Sequence, residues 1–252
     1  MVLPDAEQVR IVWPARARVR AVVTTRHGGV SEGRYGSFNL ATHCGDELSH
    51  VLENRRRLTS AYRIPPVCWL DQVHGREVID TAEASSQPPS ADASLSRSTA
   101  LACAILSADC LPVLMCDREG TVVGAAHCGW RGLAVGVLGA LVRRLNVPGD
   151  DVLAWLGPAI GPAHYQIGED VREALLDSIP ASDISVAVTP SSDSNRWQAD
   201  LYAVARAQLN ALGVTAVFGG GFCTYRETRF YSYRRDGVTG RIASLIWLSD
   251  EP

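Results

Sequence analysis

Two histidines and one cysteine are the side chains of this sequence best suited to bind a metal ion. His74 lies in Asp-Gln-Val-His-Gly, Cys110 in Ser-Ala-Asp-Cys-Leu-Pro, and His127 in Ala-Ala-His-Cys-Gly-Trp-Arg-Gly. Two imidazoles and one thiolate suit zinc, and three protein ligands leave the fourth tetrahedral position for water or substrate. Such a centre is catalytic in form, because zinc lowers the pKa of bound water and acts as a Lewis acid. A histidine at the end of a strand can equally be a hydrogen-bonded structural residue.

The elements that must position these residues alternate between apolar strands and amphipathic helices, which predicts an α/β fold. Residues 82–99 are rich in Ser, Ala and Pro and predict a surface loop. His74, Cys110 and His127 fall at the ends of predicted strands, where α/β folds tend to place their sites. The predicted strands are 19–24, 67–70, 100–106, 111–115, 121–126, 152–156, 215–218, 229–233 and 241–248, and the predicted helices are 50–62, 133–145, 169–178 and 201–212.

The composition argues against several classes of partner and environment for this chain. The chain of 252 residues has 24 Lys and Arg against 27 Asp and Glu, a formal charge of −3, so no overall positive field favours nucleic acid. Uncharged stretches are far shorter than the roughly 20 residues that span a bilayer, so no membrane segment is expected. The first eight residues lack the pattern of a signal peptide, which predicts a cytoplasmic protein. Seven cysteines without a CxxC pair predict free thiols rather than a disulfide framework.

Beyond the three candidate ligands, a series of longer segments is typical of one family. They are Thr-Thr-Arg-His-Gly-Gly-Val-Ser, Phe-Asn-Leu with His-Cys-Gly-Asp, Asn-Arg-Arg-Arg-Leu, Asp-Gln-Val-His-Gly, Ala-Asp-Ala, Ser-Ala-Asp-Cys-Leu-Pro-Val, His-Cys-Gly-Trp-Arg-Gly, Gly-Pro-Ala-Ile-Gly-Pro and Phe-Tyr-Ser-Tyr-Arg-Arg-Asp-Gly-Val-Thr-Gly-Arg. On these segments the chain resembles the YfiH/laccase-domain family, which is also called the multicopper polyphenol oxidase or purine nucleoside phosphorylase family.

The resemblance carries expectations about fold and metal. It implies a single-domain, mixed-sheet α/β sandwich over residues 1–252, and a metal centre whose ligands fall on His74, Cys110 and His127. Two departures from the family pattern are Cys44, where Val is common, and Cys128, where Ala is more frequent. Cys128, next to His127, could compete for a soft metal.

The resemblance also implies an activity. It is that of a zinc-dependent purine nucleoside phosphorylase, acting on adenosine, inosine, guanosine and methylthioadenosine with inorganic phosphate, which also deaminates adenosine. In deamination, zinc would activate water for attack on C6 of the purine. Asp109 is the candidate acid, and its alternative role is a hydrogen bond within its own turn or to a ligand.

Phosphorolysis needs a cation beside the anomeric carbon to hold phosphate. Arg26 is the first candidate, followed by Arg131 and Arg241, although an arginine in a loop can simply be solvated. Gln72 could read a purine edge through its amide or pin its own loop. The candidates for stacking on the base are Trp130 and Tyr165, which could instead pack in the core.

Three other functions remain open. A laccase with several coppers, each bound by two or more imidazoles, needs more histidines than the six present, although a single His₂Cys site could hold copper and oxidise phenols. Cys110 could be a nucleophile with His74 or His127 as its base, in a hydrolase that edits peptidoglycan precursors, since family members are also discussed as peptidoglycan editing factors. The third alternative is non-enzymatic, a structural zinc site or a binding module. Three ligands rather than four argue against a closed structural zinc site. The oligomeric state is not determined by the sequence.

Overall fold

Two β-sheets stack face to face at the centre of the molecule, and helices cover their outer faces. The structure is a computed structural model that describes residues 9–85, 87–180 and 183–250, so the expectation drawn from the first eight residues lies outside it. The strands are β1 (Val19–Val23), β2 (Val67–Cys68), β3 (Val78–Asp80), β4 (Ala93–Ser96), β5 (Ala102–Ser107), β6 (Leu111–Asp117), β7 (Val123–Cys128), β8 (Val152–Leu156), β9 (Gln166–Ile167), β10 (Val188–Pro190), β11 (Trp197–Ala199), β12 (Ala216–Gly219) and β13 (Ile242–Leu248). The helices are α1 (Leu48–Tyr62), α2 (Trp130–Ala134), α3 (Val137–Leu145), α4 (Glu169–Leu176), α5 (Ile184–Ala187), α6 (Leu201–Ala211) and α7 (Tyr233–Asp236).

The sheets are mixed, which confirms the predicted α/β sandwich. The smaller sheet has the order β1-β13-β5-β2, antiparallel except where β2 joins β5. The larger sheet has the order β12-β8-β6-β7-β4-β3, with parallel pairing at its two edges and antiparallel pairing between. A third, antiparallel sheet has the order β10-β11-β9. None of the helices in the described ranges combines the length and the apolar character that a membrane crossing requires.

Alternate residues of the central strands pack into different cores, because successive side chains of a strand point to opposite faces. On β5, Cys103 packs between the two sheets, whereas Ala104 packs with residues of β1, β13 and α1. On β6, Leu114 faces the smaller sheet and Val113 faces the layer that contains α3 and α6. Both faces of each sheet are therefore buried, as continuous apolar strands indicate.

Three predicted elements differ from the structure. The predicted surface loop at 82–99 contains β4, a buried strand that forms ladders to β3 and β7 and places Leu95 in the core. The strand predicted at 229–233 does not form, because the Ser232 hydroxyl accepts a hydrogen bond from the Arg235 backbone N–H and begins α7 there. The helix predicted at 133–145 is divided into α2 and α3 at Gly136, whose φ of +85° suits glycine.

Candidate metal centre

The candidate ligands His74, Cys110 and His127 converge on one point at the end of the larger sheet. Their ligand atoms all lie within 4.8 Å of one another. His74 lies in the loop after β2, Cys110 directly precedes β6, and His127 is in β7. Strands β6 and β7 pair with Leu111 opposite Cys128, which sets Cys110 and His127 at the same end of the ladder. Two imidazole nitrogens and one sulfur at this separation fit a zinc ion, and they leave room for a fourth ligand.

A buried carboxylate, that of Asp92, orients two of the three ligands. It lies 2.9 Å from His127 Nδ1 and accepts the backbone N–H groups of Val73, His74 and Gly75 at 3.1, 3.0 and 2.6 Å. These bonds hold His74 at a φ of +61°. Burial raises the pKa of Asp92, but the hydrogen bonds from His127, Gly75 and His74 outweigh burial and lower it. With Nδ1 directed at Asp92, His127 presents Nε2 to a metal.

The thiolate form of Cys110 and the protonated form of His127 stabilise each other. Burial raises the pKa of the Cys110 thiol, but the neighbouring imidazoles, above all that of His127, overcome burial and lower it to about 6. Burial lowers the pKa of His127, but Cys110 and Asp92 raise it to about 9. Cys110 Sγ lies 4.0 Å from His74 Nε2. A metal ion that displaces the imidazolium proton therefore meets a thiolate that the surroundings already favour.

The three ligands line a cleft of about 500 Å³ whose other walls are aromatic and cationic. The Arg131 guanidinium lies over the Trp130 ring at 4.3 Å, and that of Arg234 over the Tyr165 ring at 5.2 Å. Arg241 also lines the cleft. Flat aromatic surfaces beside guanidinium groups suit a ligand that combines a ring with an anion.

The structure places Arg26, the first candidate for holding phosphate, outside the lining of this cleft. Its Nε donates to the Gly36 carbonyl oxygen at 2.9 Å, and its guanidinium lies over the Tyr231 ring at 4.8 Å. One guanidinium nitrogen is 3.9 Å from an Asp236 carboxylate oxygen. Arg26 therefore holds the surrounding loops together instead of facing the candidate ligands.

The other two candidate arginines do line the cleft. The Arg131 guanidinium forms no hydrogen bond or ion pair with any residue that the structure describes, apart from its contact with Trp130. Arg241 Nη1 donates to the carbonyl oxygens of Thr239 and Gly240 at 2.8 and 3.0 Å. Of the two, Arg131 has the guanidinium that is less engaged by the protein.

Gln72 and Asp109 line the cleft, but their polar groups bind the protein. The Gln72 amide donates to the Leu106 carbonyl oxygen at 2.9 Å and accepts the Leu106 N–H at 2.8 Å, so it pins its loop to β5. Asp109 Oδ1 accepts the Thr224 hydroxyl at 2.6 Å, and Oδ2 accepts the Arg234 backbone N–H at 2.7 Å. The contacts of Gln72 favour its alternative role as a loop anchor. Asp109 instead joins its turn to two segments that are remote in the chain, which is neither of the roles expected from the sequence.

Cys128 does not belong to the ligand group. It follows His127 in β7, so the two side chains point to opposite faces of the sheet. Its thiol is fully buried in the core on the helical side of the larger sheet. The expected competition with His127 for a soft metal is therefore excluded by the alternation of the strand.

Sequence reasoning missed several residues of the site. Asp92 lies in the segment Ala-Asp-Ala. The feature that could have identified it is a carboxylate between two small apolar residues. His43, Tyr233 and Arg234 also line the cleft. They lie in the family-typical segments His-Cys-Gly-Asp and Phe-Tyr-Ser-Tyr-Arg-Arg-Asp-Gly-Val-Thr-Gly-Arg, but nothing in those segments assigned them a role in the site.

Comparison with known proteins identifies relatives along nearly the whole chain. The model of a family described as multi-copper polyphenol oxidoreductase laccase matches residues 20–249. A purine nucleoside phosphorylase of Pseudomonas aeruginosa is 54% identical over 239 residues, which cover 94% of this chain and 97% of that protein. The purine nucleoside phosphorylase YfiH of Escherichia coli is 47% identical over 239 residues, covering 94% and 96%.

Solved structures show the same fold. A crystal structure of a Neisseria meningitidis protein has a TM-score of 0.92 at 46% identity, and the match covers 96% of this chain and 99% of that one. The crystal structure of YlmD from Geobacillus stearothermophilus has a TM-score of 0.84 at 30% identity, covering 93% of each chain.

Proposed function

The chain belongs to the multi-copper polyphenol oxidoreductase laccase family, and we propose that it is a zinc-dependent purine nucleoside phosphorylase. The observation that carries the proposal is the convergence of His74, Cys110 and His127 in a cleft with aromatic and cationic walls. The names of the Pseudomonas and Escherichia relatives support it.

One metal ion, rather than several coppers, suits the residues present. Within residues 9–85, 87–180 and 183–250, one group of three His, Cys, Asp or Glu side chains is close enough to hold an ion. A multicopper oxidase needs several such groups. When bound, zinc supplies Lewis acidity and lowers the pKa of a coordinated water. Copper remains the competitor that metal analysis must distinguish, because a His₂Cys set also binds copper.

The protein's own residues bind and orient the substrates. Arg131, whose guanidinium is the less engaged, holds inorganic phosphate through charge-assisted hydrogen bonds, and Arg241 assists from the same cleft. Trp130 and Tyr165 provide aromatic surface for the purine. Asp92 keeps His74 and His127 in position. Positive charge that builds on the ribose during phosphorolysis is then met by the adjacent phosphate.

The test combines metal analysis with turnover. Purified protein should contain close to one zinc per chain and release hypoxanthine from inosine only when phosphate is present. His74→Ala should lose both metal and turnover, whereas Arg131→Gln should keep the metal and raise the KM for phosphate. Zinc-loaded protein that releases no hypoxanthine with phosphate would overturn the proposal.

Adenosine, guanosine and methylthioadenosine are the further proposed substrates, and the same cleft is proposed to deaminate adenosine. Phosphorolysis occurs at C1′ and deamination at C6, several bonds apart. Either the nucleoside binds in two orientations, or the metal acts indirectly in one of the two reactions. Ammonia release from adenosine without phosphate is the measurement for the second reaction. Protein that turns over no nucleoside while retaining metal would be a binding module.

The contact between Cys110 and His74 also suits a cysteine hydrolase, since the lowered pKa of Cys110 favours the thiolate. That alternative is favoured if purified protein lacks metal and Cys110 is alkylated rapidly at neutral pH.

A further inference from the structure

A second cysteine of the described residues contacts an imidazole, and it lies outside the metal cleft. Cys223 Sγ is 3.5 Å from His164 Nδ1 and accepts the Gly161 backbone N–H at 3.3 Å. The His164 ring stacks on Tyr225 with 4.6 Å between ring centroids and 21° between planes, which fixes its orientation. Cys223 itself is buried, with 6% of its surface exposed. Its sulfur faces an imidazole nitrogen that can accept the thiol proton and a backbone N–H that bonds the sulfur.

The remaining thiols are less suited to react. Burial raises the pKa of five of them, which favours the unreactive protonated form. Cys110 is a ligand whenever the metal centre is occupied. The five are Cys44, Cys68, Cys103, Cys116 and Cys128.

Cys223 and His164 line a cavity of about 370 Å³ that shares no lining residue with the metal cleft. Arg206 and Arg226 line it too. Arg206 donates to two backbone carbonyl oxygens, whereas the exposed Arg226 side chain has no hydrogen bond or ion pair within the described ranges. The one carboxylate in the lining, that of Asp200, caps α6 by accepting two backbone N–H groups. Two guanidinium groups against one carboxylate favour an anionic ligand.

We propose that Cys223 and His164 form a reactive thiol centre that undergoes exchange with small disulfides carrying carboxylates. The Cys223 proton moves to His164 Nδ1, and Sγ attacks one sulfur of the disulfide. The S–S bond breaks, and the leaving thiolate takes the proton from His164. Cys223 is oxidised to a mixed disulfide while half of the reagent is reduced to a thiol. Arg226 pairs with the carboxylate of the half that stays bound. The proposal does not depend on the phosphorylase activity.

The experiment compares two disulfides that share a two-carbon spacer and carry opposite charges, dithiodipropionate and cystamine. Zinc-loaded full-length protein is treated with each, and peptide mass spectrometry maps the first adduct with time. The expected first adduct is on Cys223, and it forms faster with the anionic dithiodipropionate. Cys223→Ser should abolish this adduct and leave the zinc content unchanged. A first adduct on another cysteine would overturn the proposal.

Two further variants separate the roles of the imidazole and the cation. His164→Phe keeps a ring to stack on Tyr225 but lacks the nitrogen, and it should slow adduct formation with both reagents by about tenfold or more. Arg226→Gln, at an exposed position, should slow dithiodipropionate several-fold without slowing the cationic cystamine. Wild-type rates in His164→Phe, or equal rates for both reagents with the wild-type protein, would contradict the assignment.

Discussion

Two regions of this molecule bring a cysteine against a histidine, and they differ in what surrounds the pair. At the metal centre, His127 adds a third ligand atom to those of His74 and Cys110. Around Cys223, the sulfur faces a backbone N–H and the imidazole of His164, and the Glu227 carboxylate accepts the Cys223 backbone N–H at 2.9 Å. The first arrangement can coordinate an ion, whereas the second pairs one thiol with one imidazole that can accept its proton. A Cys–His contact therefore does not define a function until its next neighbour is known.

The two regions also share a feature, a glycine packed against the sulfur. A Cβ added to Gly129 would lie 2.9 Å from Cys110 Sγ. A Cβ added to Gly161 would lie 3.2 Å from Cys223 Sγ. Close approach of the backbone is thus common to both sites, and the third ligand is what separates them.

Removal of the third ligand, His127, should have the largest effect on zinc affinity and so test the difference between the two regions most strongly. In His127→Ala, two ligands remain and Asp92 loses a hydrogen-bond partner. Zinc affinity should fall by more than the roughly 10- to 100-fold that the loss of an outer-shell partner costs. Competition with a chelator measures the affinity, and His164→Ala is the matched control that should retain it. Equal affinities for the two variants would remove the distinction between the regions.

Asp92→Asn comes next, because it leaves the ligands in place and removes the charge that orients them. We expect zinc affinity to fall by about 10- to 100-fold. The control is Asp117→Asn, which alters another buried carboxylate, one that accepts two backbone N–H groups and a hydroxyl away from the site. Both variants should lower the free energy of unfolding, by about 1–3 kcal/mol. Only Asp92→Asn should weaken zinc binding, and a loss in both would assign Asp92 a purely structural role.

Gly129→Ala should lower zinc affinity by less than Asp92→Asn does. Its methyl group would press on Cys110 Sγ and displace it from the position shared with the two histidines. Overpacking of about 1 kcal/mol corresponds to a roughly fivefold loss of zinc affinity. Gly161→Ala is the corresponding change beside Cys223, and there we expect unchanged zinc affinity with slower thiol exchange. The reverse result would mean that the two sites are coupled.

The smallest expected effect is on stability in acid. The folded-state pKa of Asp92 is lowered, so its carboxylate contributes stability above the unfolded-state pKa of about 4, and that contribution is lost as the pH falls through the folded-state value. The free energy of unfolding of metal-free protein should therefore decrease below about pH 4. Asp92→Asn should show a shallower decrease in denaturant titrations over the same range. Parallel curves would show that other carboxylates dominate.

Sequence patterns predicted most of the layered fold, since buried strands are continuous apolar runs. The strand predicted at 152–156 is β8 to the residue. Prediction failed at β4, whose four residues Ala-Ser-Leu-Ser contain one large apolar side chain and whose ladders to neighbouring strands complete the element. It failed again at 229–233, where the buried Phe230 and Tyr231 lie in an irregular segment that leads into α7.

The site was predictable to the extent that it depends on residue type. His74, Cys110 and His127 have metal-binding side chains at predicted strand ends, and the structure brings them together. The candidate arginines for phosphate binding could not be ranked from residue type. Arg26 and Arg131 have the same chemistry, and only packing places one over Tyr231 and the other in the cleft.

The amino-acid sequence by itself determined the donor chemistry and the α/β class, because both follow from side-chain type and from periodicity along the chain. Tertiary structure decided which groups meet. The register of β6 on β7 sets Cys110 beside His127, and a single carboxylate, Asp92, joins that ladder to the His74 loop. Cys223 and His164 are 59 positions apart and meet only because the chain folds back on itself. Distances between remote segments are set by strand register and packing, which local sequence does not encode.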